Sequence, residues 1–200
     1  MITAYEYHLS GAGVWPRDIG YPLYAAITTR LPQLHGRKGL QIAPVSGKRT
    51  EDSKGMILDR RSTLHIRGLS LEEAVALQKQ VLIVASNLLT VGAFSRRDLT
   101  PGSKLCSRLV IYKDLGDCEE GAFLSRLMSE LVWLGCEPGD MTITLGKIRS
   151  LAFKGRHYRG RSVEIVGGDP DLILGRGLGS FKSMGCGIFR PYTREINATC

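Results

Sequence analysis

An α+β chain of two successive units, each running strand, helix, strand, strand, helix, strand, is predicted by three observations. Alternating apolar stretches flank segments whose apolar residues recur at helical spacing. The order of these elements repeats along the chain. Between the repeats, Thr100-Pro101-Gly102-Ser103 is a cluster of turn-forming residues of the kind that separates domains. The predicted halves are residues 1–99 and 104–200.

In the first half, Ile2 to Leu9 alternates aromatic and polar residues as a strand does, and Pro22 to Leu34 places Leu23, Ile27, Leu31 and Leu34 on one helical stripe. Pro32 ends that helix or restarts its last turn. After the break from Gly36 to Gly39 come strand-like Leu40 to Val45, a charged connector from Lys48 to Lys54, and strand-like Met56 to Ile66. Ser70 followed by Glu73 is a capping box, opening a helix on which Leu71, Ala74, Val75, Gln78, Val81 and Leu82 share a face. A strand from Leu88 to Val91, extending toward Leu99, closes the half.

The second half begins with a strand from Leu105 to Tyr112. Asp117 and Glu120 then cap a helix with Phe123, Leu124, Leu127, Leu131 and Leu134 on its stripe, ended by Gly135. Met141 to Leu145, Ile148 to Phe153 and Val163 to Val166 read as strands, Pro170 to Leu174 as a short helix, and Cys186 to Tyr192 as a terminal strand. Two such units in tandem describe a double ferredoxin-like fold. The fold by itself licenses no reaction, although the sheet faces and interdomain clefts of such folds often bind RNA.

Two hundred residues with 43% hydrophobic content suffice for one large core or two small ones. The longest apolar run, Val81 to Ala85, is far too short to cross a membrane, and the first residues lack the basic and apolar regions of a signal peptide. A cytoplasmic protein without membrane partners is the expectation. Cys106, Cys118, Cys136, Cys186 and Cys200 include no CxxC pair, and His8, His35, His65 and His157 are dispersed, so neither a zinc site, another metal centre nor a disulfide framework is signalled. No cofactor is expected. A net charge of +8 favours a polyanionic partner.

The densest signal lies between Gly175 and Phe189, where five glycines accompany Arg176 and Lys182. Such a cluster marks positive φ or close backbone approach, here expected to be toward phosphate. Two phosphate-loop patterns fail on spacing. Lys182-Ser183 is preceded by Phe181 rather than the glycine of a Walker loop, with Arg176 in the earlier glycine slot. The alternating Gly175, Gly177 and Gly179 place Ser180 or Lys182 where a dinucleotide fingerprint needs its third glycine. The alternative to a phosphate-contacting backbone, from the residues alone, is a plain loop joining two elements.

Placed after the last helix of a second ferredoxin-like half, Arg176-Gly177-Leu178-Gly179 followed by Lys182 to Phe189 resembles the glycine-rich loop of the repeat-associated (RAMP) superfamily. More narrowly, the chain resembles the CRISPR repeat-processing endoribonucleases of the sixth Cas family, in the short MYXAN form. Gly20 to Tyr24, Leu31 to His35 and Gln41 to Gly47 support the likeness, with Ala43 standing where relatives often carry a second histidine before Pro44. The resemblance implies metal-independent cleavage of a CRISPR precursor transcript within each repeat. In that reaction a ribose 2′-hydroxyl attacks the adjacent phosphorus, leaving a 2′,3′-cyclic phosphate and a 5′-hydroxyl. It further implies that the product's 3′ hairpin is retained by the protein as a subunit of an effector complex with other Cas proteins.

Histidine suits both proton transfers of that chemistry. His35 is the candidate, at the end of the first predicted helix, off its apolar stripe and beside Arg37 and Lys38. Its second partner stays open among Tyr21, Tyr24, Arg37, Lys38 and Lys48, because family members vary there. His8 and His65 fall on strands and read as ordinary strand histidines. Lys154, Arg156, His157, Arg159 and Arg161 crowd an apparent hairpin tip suited to phosphates and bases. Arg60 and Arg61, at the start of a strand, suit phosphate holding, since guanidinium stays protonated. Arg176, Gly177, Gly179 and Lys182 complete the expected RNA-binding set. The competing account is a repeat-RNA-binding subunit of the same ribonucleoprotein that does not cleave. A metabolic ferredoxin-like enzyme with a small anionic ligand is a further, weaker alternative.

Overall fold

Tyr5, Tyr7 and Leu9 alternate inward along the first strand, which anchors one of two hydrophobic cores. The computed structural model describes residues 2–52, 55–153 and 155–192. Lys54, Lys154 and Cys200 lie outside the described residues. The described residues divide into two compact units: Thr3–Asp98 with Ser183–Gly185, and Leu99–Lys182 with Ile2 and residues 186–192.

The first unit follows the order β1 (Ile2–Ser10), β2 (Val14–Pro16), α1 (Gly20–Arg30), β3 (Gln41–Ile42), β4 (Lys48–Arg49), β5 (Gly55–Ile57), β6 (Thr63–Arg67), α2 (Leu71–Leu77), β7 (Val81–Val84) and β8 (Asn87–Leu99). Its main sheet has strand order β3-β6-β1-β8-β7. The pairings of β1 with β6, β3 with β6 and β7 with β8 are antiparallel. Leu23 and Ile27 of α1, with Leu31 and Leu34 beyond it, are buried in the core with Trp15, Leu64, Ile66 and Leu77.

Three differences from the predicted elements have physical causes. The chain from Lys48 to Ile66 is neither connector nor single strand: β2, β5 and β4 pair as a separate three-stranded sheet, and Ser62 donates its N–H to the Asp59 carbonyl in the turn before β6. α2 stops at Leu77, and Lys79 takes φ +63, turning the chain into β7. Val81 and Leu82 therefore belong to a strand, while Leu71 and Val75 face outward and Ala74 and Leu77 face the core. Ala85 and Ser86, both with positive φ, form the two-residue turn of the β7–β8 hairpin.

The second unit runs β9 (Lys104–Val110), α3 (Glu120–Trp133), β10 (Met141–Phe153), β11 (Arg156–Gly167), α4 (Pro170–Arg176) and β12 (Arg190–Pro191). Its sheet has the order β10-β11-β9-β12, and all its registered pairings are antiparallel. β10 is one strand rather than two, because a register shift between Leu145 and Ile148 absorbs the irregularity. β11 begins at Arg156, well before the predicted Val163. The terminal strand shrinks to Arg190–Pro191. Phe123, Leu127 and Leu131 of α3 pack on Val110, Val163, Ile165, Leu178 and Phe189, whereas Leu124 is exposed. Glu119, not Asp117, caps α3, its carboxylate accepting from the N–H groups of Gly121 and Ala122.

The capping box on α2 forms as expected: Ser70 accepts from the Glu73 N–H, and Glu73 accepts from the Ser70 N–H. The same carboxylate takes two hydrogen bonds from the Arg37 guanidinium, at 2.7 and 2.6 Å. Arg37 holds Glu73 below the usual carboxylate range, and Glu73 raises Arg37 in return. A depressed carboxyl stabilises the fold above its unfolded pKa, and that contribution is lost as pH falls through the folded value. Glu73→Gln is expected to cost roughly 1–2 kcal/mol at neutral pH. Urea titrations of the pair of proteins should show the difference shrinking below about pH 4; an equal difference at every pH would mean that the charge of Glu73 is not what stabilises.

Candidate functional site

α1 ends at Arg30, and a separate 3-10 turn, Pro32–Leu34, carries the chain to His35. Pro32 starts that turn because it has no N–H to leave unsatisfied. His35 caps it, its N–H donating to the Pro32 carbonyl at 3.0 Å, so the histidine terminates a short turn rather than the long helix. Leu34 is buried while His35 is exposed, and the buried residue pins the base of the turn. Gly36 donates its N–H to the Tyr24 hydroxyl at 3.0 Å, and the Tyr24 and His35 rings lie 6.0 Å apart at an interplanar angle of 30°. One residue further, Arg37 is locked to Glu73 and to the Gly68 carbonyl. The imidazole thus projects from a turn held on both sides.

Among the open partners of His35, Arg37 is committed to Glu73, Lys38 is exposed on the same turn, and Tyr24 is the buried ring beside the imidazole. Tyr21 is half-buried in the first turn of α1, and Lys48 is exposed on β4. The other histidines lie apart in the chain's elements. His8 is exposed on β1 and His157 on β11. His65 sits on β6 with Nε2 3.5 Å from the Glu6 carboxylate and 3.3 Å from the Thr63 hydroxyl; burial pushes it below the ordinary histidine value.

In the second unit the glycine-rich segment is laced to its own protein. Leu178 donates its N–H to the Gly187 carbonyl at 2.9 Å, Gly187 to Leu109 at 2.7 Å, and Ser180 to Ile111 at 2.7 Å. A single oxygen of Glu130, on α3, accepts from the Gly179 N–H at 2.9 Å and from the Tyr112 hydroxyl at 2.7 Å. Burial and this carboxylate raise the Tyr112 phenol, which keeps its proton. Gly177 and Gly179 have φ of +60° and +76°. A β-carbon at Gly177 would stand 2.5 Å from the Gly187 carbonyl oxygen, and one at Gly179 would stand 2.6 Å from that of Ile111. The glycines are therefore required by close approach of the chain to itself, where close approach of phosphate was expected. Lys182 is half-buried, its Nζ donating to the Gly179 carbonyl at 3.2 Å, and burial lowers its pKa. Arg176, the last residue of α4, is exposed.

Arg156, His157 and Arg159 are exposed at the start of β11, paired with Phe153, Ala152 and Ser150, so they flank the tip of the β10–β11 hairpin as expected. Arg161 differs from them. Its guanidinium donates to the carbonyls of Cys118 and Gly146 and lies 3.4 Å from Glu120, a tie within the unit. Tyr158 meets the ring of Phe181 edge-on at 4.7 Å, and Lys113 lies 4.5 Å over that ring. Arg60 and Arg61 are exposed in the turn between β5 and β6, before the strand and not within it, with the Arg61 N–H on the Asp59 carboxylate. The residues that sequence patterns missed are Glu73, Glu130 and Tyr112. The capping box named Glu73 as a cap, but nothing local marked its partner 36 residues away.

Among the described residues, no group of three His, Cys, Asp or Glu is placed to hold a metal ion, and no helix is long and apolar enough to cross a membrane. The fold defines a class of α+β proteins built on antiparallel sheets, here with exposed histidines and exposed cations in both units. Residues 4–194 match the model of the Cas6 CRISPR family, and the chain belongs to that family. It is 29% identical over 185 residues to the CRISPR-associated endonuclease Cas6 of Myxococcus xanthus, covering 90% of this chain and 77% of that one. Two solved structures share the fold. A Cas6-related protein from Pyrococcus furiosus matches with a TM-score of 0.73 at 16% identity, over 97% of this chain and 100% of that one. A RAMP protein described as binding different RNA substrates matches with a TM-score of 0.72 at 16% identity, over 96% and 100%.

Gly179→Val is expected to unfold the second unit more easily, because a β-branched residue at φ +76° also meets the Ile111 carbonyl. A loss of at least about 1–3 kcal/mol should appear in chemical denaturation before any RNA is added. Wild-type stability in this variant would return the glycines to an RNA-facing role.

Proposed function

We propose that this chain is a CRISPR repeat-processing endoribonuclease of the MYXAN form, built as two ferredoxin-like domains over residues 1–99 and 104–200. The strand orders β3-β6-β1-β8 and β10-β11-β9-β12 are both those of a β-α-β-β-α-β unit, which supports the tandem reading. The observation that carries the functional reading is the exposed imidazole of His35 on a doubly anchored turn in a Cas6-family chain. A proton-transfer group works best when its position is fixed and its ring is open to substrate, and this turn meets both conditions.

In this reading the substrate supplies the nucleophile. The 2′-hydroxyl upstream of the cut attacks phosphorus, and its proton leaves to a base. The 5′-oxygen departs with a proton from an acid, which yields a 2′,3′-cyclic phosphate and a 5′-hydroxyl. His35 performs one of these transfers. Arg60, Arg61, Lys154, Arg156, His157, Arg159, Arg176 and Lys182 hold the repeat hairpin, while Arg161, Gly177 and Gly179 shape the surface that presents them. The protein keeps the 3′ hairpin of its product and acts in the cytoplasm within an effector complex of other Cas proteins.

His35→Ala is expected to slow cleavage of a labelled repeat RNA by about 10²- to 10⁴-fold while repeat affinity stays within several-fold of wild type. A single 2′-deoxy substitution upstream of the cut should make the substrate inert in the wild-type protein. Cleavage at the wild-type rate by the variant would remove His35 from the mechanism. Discrete binding without any cut by the wild-type protein would instead establish the non-cleaving subunit.

Product retention has its own readout. With a roughly tenfold excess of repeat RNA, a burst of about one equivalent followed by slow turnover is expected, since contacts on one side of the cut survive it. Lys182→Ala should lower the salt dependence of binding by about one phosphate equivalent. Rapid conversion of the whole RNA pool would contradict retention.

A further inference from the structure

α3 buries Phe123, Leu127 and Leu131 and turns a different face outward. That face carries Gly121, Ala122, Ser125, Ser129, Val132 and Trp133. Trp133 is 82% exposed and Val132 50% exposed, in the last turn of the helix. An indole left open costs solvation free energy that burial on a partner would recover, and Trp is the residue type that most often anchors protein interfaces. The small residues leading to it let a partner's backbone come close.

Charge around the helix points to one kind of partner. Residues 113–140 hold seven acidic and two basic side chains, a net of −5, so the rest of a +8 chain carries +13. Some of these acids have structural duties: Glu119 caps α3, Glu130 holds the glycine-rich segment, Asp114 lies 3.4 Å from Arg126 and Glu120 lies 3.4 Å from Arg161. The Glu137 and Asp140 side chains make no hydrogen bond or ion pair among the described residues. They are exposed in and beside the 3-10 turn Pro138–Asp140, which packs on α3 and follows Trp133 within seven residues of chain. Carboxylates at a helix C-terminus oppose its dipole, so helix stability does not account for them.

We infer that the outer face of α3, with Trp133 at its centre of binding and Glu137 and Asp140 at its rim, docks a neighbouring protein subunit. That subunit presents an apolar pocket for the indole, ringed by Lys or Arg. The rim would repel RNA phosphates, which argues against base stacking on Trp133, and it would also repel the same acidic face of a second copy. Assignment of the partner to the effector ribonucleoprotein rests on the proposed function above, but no residue of this surface is among those assigned to RNA.

The test reconstitutes the complex from the full chain, repeat RNA and the co-expressed protein subunits of the ribonucleoprotein. Wild type is compared with Trp133→Ser, Trp133→Phe and the double variant Glu137→Lys/Asp140→Lys. All four proteins are expected to bind and cut isolated repeat RNA equally, within about twofold. Incorporation should weaken at least about tenfold for Trp133→Ser and for the double variant, with partial recovery in Trp133→Phe. For wild type it should weaken as salt rises, and for the double variant it should lose that dependence. Wild-type incorporation of Trp133→Ser, or failure of wild type to join the complex, overturns the docking surface. Weaker binding of isolated repeat RNA by Trp133→Ser overturns it in favour of an RNA contact. Failure of the proposed function is read separately, as absence of repeat cleavage by the isolated wild-type chain.

Discussion

The bidentate pair between Arg37 and Glu73 is the constraint on which the geometry of the first unit's candidate site depends. It joins the turn after His35 to the first turn of α2, two segments 36 residues apart in the chain. Without it, the stretch from Pro32 to Gly39 would lose its charged tie and keep the burial of Leu34, the Gly36 hydrogen bond to Tyr24 and the Arg37 bond to the Gly68 carbonyl. Glu73 serves two purposes with one carboxylate, closing the capping box and receiving the guanidinium. The helix start and the histidine turn are therefore coupled, and loosening either one loosens the other.

The second unit solves a similar problem with a single half-buried acid. Glu130 reaches from α3 to the backbone of Gly179 and shares that oxygen with Tyr112. A carboxylate accepting two donors is well satisfied even where water is scarce. Around this anchor the glycine-rich segment folds back on β9, and the missing side chains at positions 177 and 179 make room for carbonyls of the same protein. The two cations of the segment end in different surroundings: Arg176 faces solvent, while Lys182 spends a donor on Gly179.

Elements whose signals are local were legible in the sequence. The strand at Ile2, the capping box at Ser70, the stripe of α3 and the end of that helix at Gly135 each depend on neighbours within a few residues. Elements defined by distant pairing were not. β2 and β4 are three and two residues long and exist because both pair with β5. The shift of Val81 from helix to strand follows from positive φ at Lys79, a residue type that gives no warning of it. The site divides along the same line. The place of His35, past Leu31 and Leu34 and off their apolar stripe, was legible from neighbouring residues, whereas the contacts of Glu73, Glu130 and Arg161 require partners dozens of residues away.

The membership of Ser183–Gly185 in the first unit bears on how such a chain could be divided by recombination. Met184 packs against the core that also contains Leu23 and Ile42, and its carbonyl oxygen stands where a β-carbon on Gly20 would have to sit. A gene fragment ending near residue 99 would encode most of that core but not all of it. The two halves are consequently not interchangeable cassettes. Exchange of the N-terminal half between relatives would bring a foreign surface to meet the methionine encoded far downstream, so the two segments are bound to drift together even though they are 160 codons apart, roughly four-fifths of the chain.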